Sequence, residues 1–254
     1  MEILHSNIQG TGTPLIILHG YFGMGDNWRS HANKLKDNFE VHVIDQRNHG
    51  KSFHSDAFNY DLMVSDLNYY FSHHNINKAI VLGHSMGGKT AMLFAVKYPQ
   101  LVEKLIIADI APKYYAPHHD QIISALNRVD FSTLKLRSEI DAILKQSIPE
   151  EGVRQFLLKN VYRKTKTEMD FRFHLKSLTE NNIEIGKALP EATTYHGETL
   201  FLRGENSDYI LDEDRDLIQT HFKNAQIKTI KNAGHWLHAE NPVDFYTTMM
   251  HFIG

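Results

Sequence analysis

The sequence predicts an α/β fold, a mostly parallel sheet covered by helices on both faces. Three observations carry this expectation. Short continuous apolar runs, such as Leu15-Ile16-Ile17-Leu18 and Ala79-Ile80-Val81-Leu82, suit strands buried on both faces. These runs alternate with helical periodicity, as in a parallel sheet with crossover helices. Polar residues that could do chemistry, His19, Asp45, Ser85 and Asp109, fall at the carboxyl ends of the runs, where ligands bind in such sheets.

Taken in order, residues 2–8 and 14–18 read as two strands, joined by a glycine-containing turn before Pro14. The second strand runs into His19-Gly20-Tyr21-Phe22-Gly23-Met24-Gly25. A dinucleotide-binding reading of Gly23-x-Gly25 fails, because Trp28 stands where the third glycine is required. A helix is expected over 26–36 with Asp26 as its cap. A buried strand follows at Val41-His42-Val43-Ile44, ending in Asp45-Gln46-Arg47-Asn48-His49-Gly50, read as a structural turn with His49 a packed loop residue. A helix near 61–74 precedes the strand ending at Gly83, and a helix over 86–98 follows it, stopped near Pro99. The run Leu105-Ile106-Ile107-Ala108 is another buried strand, closed by Asp109.

From 111 to 190 the pattern becomes helical. Ile122, Ile123, Leu126 and Val129 share one face, as do Leu136, Ile140, Ile143 and Leu144, and then Val153, Phe156, Leu157 and Val161. A hairpin is expected between Tyr162 and Leu175. Strand and helix then resume, with strands near 199–203 and 225–230, a helix near 212–222, and a last helix opened by Asn241-Pro242. The segment 111–190 therefore interrupts one domain formed by 1–110 and 191–254, and reads as a mainly helical lid. Its apolar faces offer a surface for an acyl chain or another apolar group.

Composition narrows the function. The chain of 254 residues is 42% hydrophobic and 22% charged, with a formal net charge of −3, which implies no broad nucleic-acid footprint. It has no cysteine, which removes disulfides, thiolate metal sites and a cysteine nucleophile. No run approaches a membrane span and the N-terminus lacks a signal-peptide pattern, so a soluble, cytoplasmic protein is expected. The adjacent pairs His73-His74 and His118-His119 are read as pointing apart, and no His-Glu-x-x-His occurs, so no metal and no cofactor is expected.

The chemistry centres on Gly83-His84-Ser85-Met86-Gly87 between a strand and a helix, the arrangement of a nucleophile elbow. A plain turn whose serine caps the helix is the alternative. Together with His19-Gly20-Tyr21-Phe22-Gly23, Asp45-Gln46-Arg47-Asn48-His49-Gly50, Asp109-Ile110-Ala111-Pro112 and Gly234-His235-Trp236, this motif resembles the α/β-hydrolase superfamily, and within it the YbfF-like acyl esterases. The resemblance implies a serine hydrolase acting on small-molecule acyl esters or thioesters through a Ser85 acyl-enzyme, with His235 as general base. Two N–H groups would form the oxyanion hole, from Met86 and from Tyr21, or Phe22 in its place. The acid has two candidates. Counting three residues past Gly204 reaches Ser207, which holds no charge, and Asp208 is one residue late. Asp109 occupies the place where the resembling esterases carry their acid, and it is favoured, with Ser207 as an auxiliary hydrogen-bonding His235. Carbon–carbon bond hydrolysis or perhydrolysis at the same site, and a ligand receptor without catalysis, are the competing readings. Oligomeric state is not legible.

Overall fold

The computed structural model describes residues 2–254. Seven strands form one sheet: β1 (Ser6–Gln9), β2 (Thr13–Leu18), β3 (Phe39–Ile44), β4 (Ala79–His84), β5 (Val102–Ala108), β8 (Tyr195–Gly204) and β9 (Phe222–Ile230). Their order across the sheet is β1-β3-β2-β4-β5-β8-β9. Only β1 runs antiparallel, against β3; every other pairing is parallel.

The continuous apolar runs are explained by two cores, one on each face of this sheet. Ile16, Leu18, Val81 and Ile107 point into a core completed by α2 (Tyr60–His73) and α3 (Met86–Lys97). Their neighbours Leu15, Ile17, Ile80 and Leu82 point the other way, against α1 (Arg29–Leu35) and α11 (Pro242–Ile253). Successive strand residues face opposite sides, so a strand covered on both must be apolar throughout.

Between β5 and β8 lie α4 (Asp120–Asn127), α5 (Arg137–Lys145), α6 (Glu151–Leu158), the hairpin β6–β7 (Val161–Arg163 with Met169–Phe171), α7 (Leu175–Glu180) and α8 (Asn182–Ile185). Their buried residues, among them Ile123, Leu126, Ile140, Leu144 and Leu157, are continuous with the core that holds α2 and α3. The two ends of this segment meet: the Leu189 N–H donates to the Pro112 carbonyl at 2.9 Å and the Tyr115 N–H to the Gly186 carbonyl at 2.8 Å. Between them sits Lys89 of α3, buried, its ammonium donating to the carbonyls of Lys113 and Lys187.

Several expected boundaries move. The first strand is Ser6–Gln9 rather than 2–8, fixed by its pairing with residues 41–44. Asp26 does not cap α1. A 3₁₀ turn, Gly25–Trp28, precedes the helix; the Asn27 side chain accepts from the Met24 N–H, and Asp26 instead pairs with Arg29 at the surface. The helix expected over 212–222 is a 3₁₀ turn followed by α9 (Arg215–His221), because Phe222 leaves it to pair with Tyr195 and pack on Phe201. A short helix, α10 (Leu237–Glu240), precedes α11. No helix among the described residues is long and apolar enough to cross a membrane.

Candidate active site

Ser85 stands between β4 and α3 with φ +53° and ψ −118°, in a region that residues with a β-carbon rarely occupy. The turn is held by the Ser85 N–H donating to the Ala108 carbonyl at 3.0 Å and by Lys89 N–H donating to the Ser85 carbonyl at 3.0 Å. Two glycines make it possible. A β-carbon on Gly83 would collide with the Gly87 carbonyl, and one on Gly87 with the Leu18 carbonyl. The Ser85 side chain makes no capping hydrogen bond to α3.

His235 follows β9 and is reached from β5. Its Nδ1 lies 2.8 Å from Asp109 Oδ2. Asp109 is wholly buried, also at positive φ (+52°), and its N–H donates to the Leu202 carbonyl of β8. Its other oxygen, Oδ1, accepts the Gly204 N–H at 2.9 Å. Ser207 donates its hydroxyl to Asp109 Oδ2, where a bond to His235 was expected. Asp208 is exposed and makes no hydrogen bond to the imidazole. The Tyr209 ring stacks on His235 at 3.8 Å between centroids. On its other flank, His84 Nε2 donates to the His235 carbonyl at 2.8 Å. Burial, reinforced by His235 and His238, pushes His84 well below the usual histidine range, which keeps that ring neutral.

The loop after β2 brings Tyr21 and Phe22 alongside the elbow, and it is anchored by residues that the sequence did not single out. Asn160 is fully buried and donates Nδ2–H to the Phe22 carbonyl at 2.8 Å, beside the positive φ of Phe22 (+57°). The Tyr21 hydroxyl donates to the Leu178 carbonyl at 2.7 Å, and burial raises it well above the usual phenol range. Asn160 follows α6 in the turn before the hairpin; a polar residue amid apolar periodicity was the only signal available.

Ser85, His235 and Tyr21 line one mainly apolar cavity of about 230 Å³, walled by Ile122, Val153, Phe156 and Trp236. No hydrogen bond joins the Ser85 hydroxyl to the His235 ring among the described residues; such contacts commonly tighten only with substrate bound. A smaller cavity of about 20 Å³ also reaches Ser85, beside Met86, and shares His118, His119 and Tyr209 with the larger one. A polar cleft of about 370 Å³ lined by Arg29, Asp45, Lys51, Lys159 and Arg172 contains none of these groups.

Asp45 holds its turn, accepting from Gly25 N–H at 2.6 Å and Lys51 N–H at 2.9 Å. His49 is packed, its Nδ1 2.9 Å from the Arg47 carbonyl, and burial lowers it well below the usual range. The paired histidines do not point apart. The His118 and His119 rings are 4.0 Å apart and those of His73 and His74 5.1 Å apart, since 118–119 precede α4 and His74 ends α2. Among the described residues, no three metal-ligating side chains gather.

A family model described as alpha/beta hydrolase fold matches residues 13–129. The chain is 39% identical to the sn-1-specific diacylglycerol lipase ABHD11 of Danio rerio, over 96% of this chain and 80% of that protein. It is 35% identical to esterase YbfF of Escherichia coli (strain K12), covering 92% and 90% of the two chains. A solved structure of a marine microorganism esterase superposes with a TM-score of 0.96 at 44% identity, covering 99% of this chain and all of that one.

Proposed function

The chain belongs to the α/β-hydrolase family, and on that premise we propose that it is a serine-dependent esterase cleaving small acyl esters or thioesters through an acyl-enzyme. The observation that carries this reading is the Asp109–His235 hydrogen bond, set over the same apolar cavity that holds Ser85. A serine hydroxyl is a weak nucleophile at neutral pH and needs a neighbouring base. In the proposed cycle His235 Nε2 takes the proton as Ser85 Oγ attacks the carbonyl. Asp109 fixes the tautomer that leaves Nε2 free, and it stabilises the imidazolium that forms. The N–H groups of Met86 and Tyr21 receive the oxyanion. His235 then protonates the departing alcohol or thiol, and water activated by the same ring releases the acid. The helical segment between β5 and β8 acts as the lid, supplying the apolar wall at Ile122, Val153 and Phe156. We place the enzyme in the cytoplasm, in keeping with its lack of cysteine.

A fluorophosphonate is expected to label Ser85 alone, and Ser85→Ala to lower kcat by on the order of 10⁴. Esterase activity surviving in that variant would overturn the mechanism.

A further inference from the structure

The proposed cycle leaves one neighbour of His235 without a task. The Tyr209 ring lies nearly parallel to the imidazole, with 3.8 Å between centroids and 17° between planes. It covers a face of the ring, while Asp109 holds the edge at Nδ1. Tyr209 is fastened at three points. The Tyr115 hydroxyl donates to the Tyr209 carbonyl and accepts the Ala111 N–H at 2.9 Å. Lys89 and Lys113 place their Nζ atoms over the Tyr115 ring, 4.9 and 5.3 Å from its centroid. The Tyr209 hydroxyl lies 2.6 Å from His118 Nε2. His118 Nδ1 is 2.9 Å from the Ala116 carbonyl, which can only accept, so in the neutral ring Nε2 is left to accept the phenol proton. The Tyr209 N–H donates to Ser207 Oγ at 3.3 Å, and Ser207 donates in turn to Asp109. Two of the three ties, through Tyr115 and His118, come from the segment between β5 and β8. A side chain held in this way cannot swing aside when the charge on its neighbour changes.

That charge does change during the reaction, because a general base that takes the serine proton becomes an imidazolium. A cation over the face of a neutral aromatic ring is stabilised by the ring's quadrupole, more so where water is excluded. Burial, with Asp109 and Asp208 nearby, raises the Tyr209 phenol above its usual range, so the ring stays neutral. The other groups around His235 do not cover its face in this way. The His84 ring, 4.7 Å away, is kept neutral by burial. His119 and His238 are pushed down to about 3, again chiefly by burial. Trp236 is farther off, at 6.2 Å and tilted by 56°. Resting on the esterase reading above, we propose that Tyr209 is a positioning residue for the reaction: a fixed π face, clamped by Tyr115 and His118, that steadies the imidazolium formed at His235. Asp109 then stabilises the cation at its edge and Tyr209 stabilises it across its face.

The test follows kcat/KM for one aryl acetate against pH, using the intact enzyme and two kinds of change at position 209. The base must be neutral to accept the serine proton, so activity falls away on the acid side, and kcat/KM reports that inflection for the free enzyme. Only points whose activity is regained on return to about pH 7 enter the profile, which separates titration from unfolding. Tyr209→Leu is expected to lower kcat by about tenfold and to move the inflection about 0.5–1 pH unit lower, since the cation loses its partner. Tyr209→Phe keeps the ring and should keep the inflection. Fluorinated phenylalanines of nearly the same size at position 209 progressively draw charge from the ring face and should lower the inflection stepwise. That series decides the matter where Tyr209→Leu fails to fold. An inflection unmoved in Tyr209→Leu or across the fluorinated series, even with a lower kcat, reduces Tyr209 to packing and overturns the inference while the esterase reading stands. No turnover by the wild type, with Ser85 unlabelled by fluorophosphonate, overturns both.

Discussion

Asp109 divides its carboxylate between two tasks. Oδ1 is tied to the Gly204 N–H, and Oδ2 receives both the Ser207 hydroxyl and the His235 ring. With both oxygens engaged, the side chain is oriented from three directions before any substrate arrives. Asp109→Asn is expected to lower kcat by about 10³–10⁴, since an amide that donates where the carboxylate accepts selects the wrong imidazole tautomer. Asp208→Asn should change kcat less than about tenfold. Steady-state kinetics on the two folded variants compares them, and the reverse ranking would reassign the acid. At this scale the sequence was informative about types of residue and poor on partners. Ser85 and His235 could be singled out from motifs. That Ser207 serves the carboxylate instead of the ring could not, because one residue of extended loop decides which way a side chain faces.

Among the elements, the segment between β5 and β8 has an effect beyond covering the cavity. Through Asn160 and Leu178 it grips the loop that carries Tyr21 and Phe22. Asn160→Ala is therefore expected to reduce kcat by about tenfold with little change in KM, because loosening the loop of the proposed oxyanion donor Tyr21 would weaken the transition state more than the ground state. Far-ultraviolet dichroism should show an unchanged fold; an unaltered kcat would remove Asn160 from this positioning role. The strands of the sheet were legible because their apolar runs are dictated by burial on both faces. The ends of helices were less so. Phe222 follows helical periodicity yet is taken by the sheet, and the start of α1 depends on an Asn27 side-chain bond that no periodicity reveals.

The molecule as a whole carries an unusual load of buried imidazoles. His49, His84 and His238 are all buried, and burial is the leading cause that pushes each below the usual histidine value, His238 to about 3. In the unfolded chain these rings titrate near 6.5. Below that value the unfolded state takes up protons that the folded state refuses, so stability falls as the pH falls. Each ring contributes up to about 1.4 kcal/mol per pH unit across this window. Urea unfolding at about pH 7 and about pH 5 is expected to show a marked loss of stability at the lower value, smaller in His238→Gln. Equal midpoints at the two pH values would contradict this. Lys89 acts in the same sense in a higher pH window. Burial, with Lys113 nearby, lowers it to about 7, so the folded protein releases a proton that the unfolded chain keeps up to about 10.5. Stability should thus rise between those values, and Lys89→Met should flatten that rise in the same measurement. None of this was readable beforehand: seventeen histidines are visible in the sequence, but only the packing says which are dry.

The paired ends of the segment between β5 and β8 have a further consequence. Because Pro112 and Leu189 are hydrogen-bonded neighbours, everything between them leaves and rejoins the rest of the chain at one point. Recombination at that point can exchange the whole stretch as a cassette while no strand of the sheet changes its neighbour. The chemistry would stay with the recipient and the wall of the cavity would come from the donor. A chimera joined at 112 and 189 to the equivalent stretch of a relative should therefore keep fluorophosphonate labelling at Ser85 and acquire the donor's preference among ester substrates.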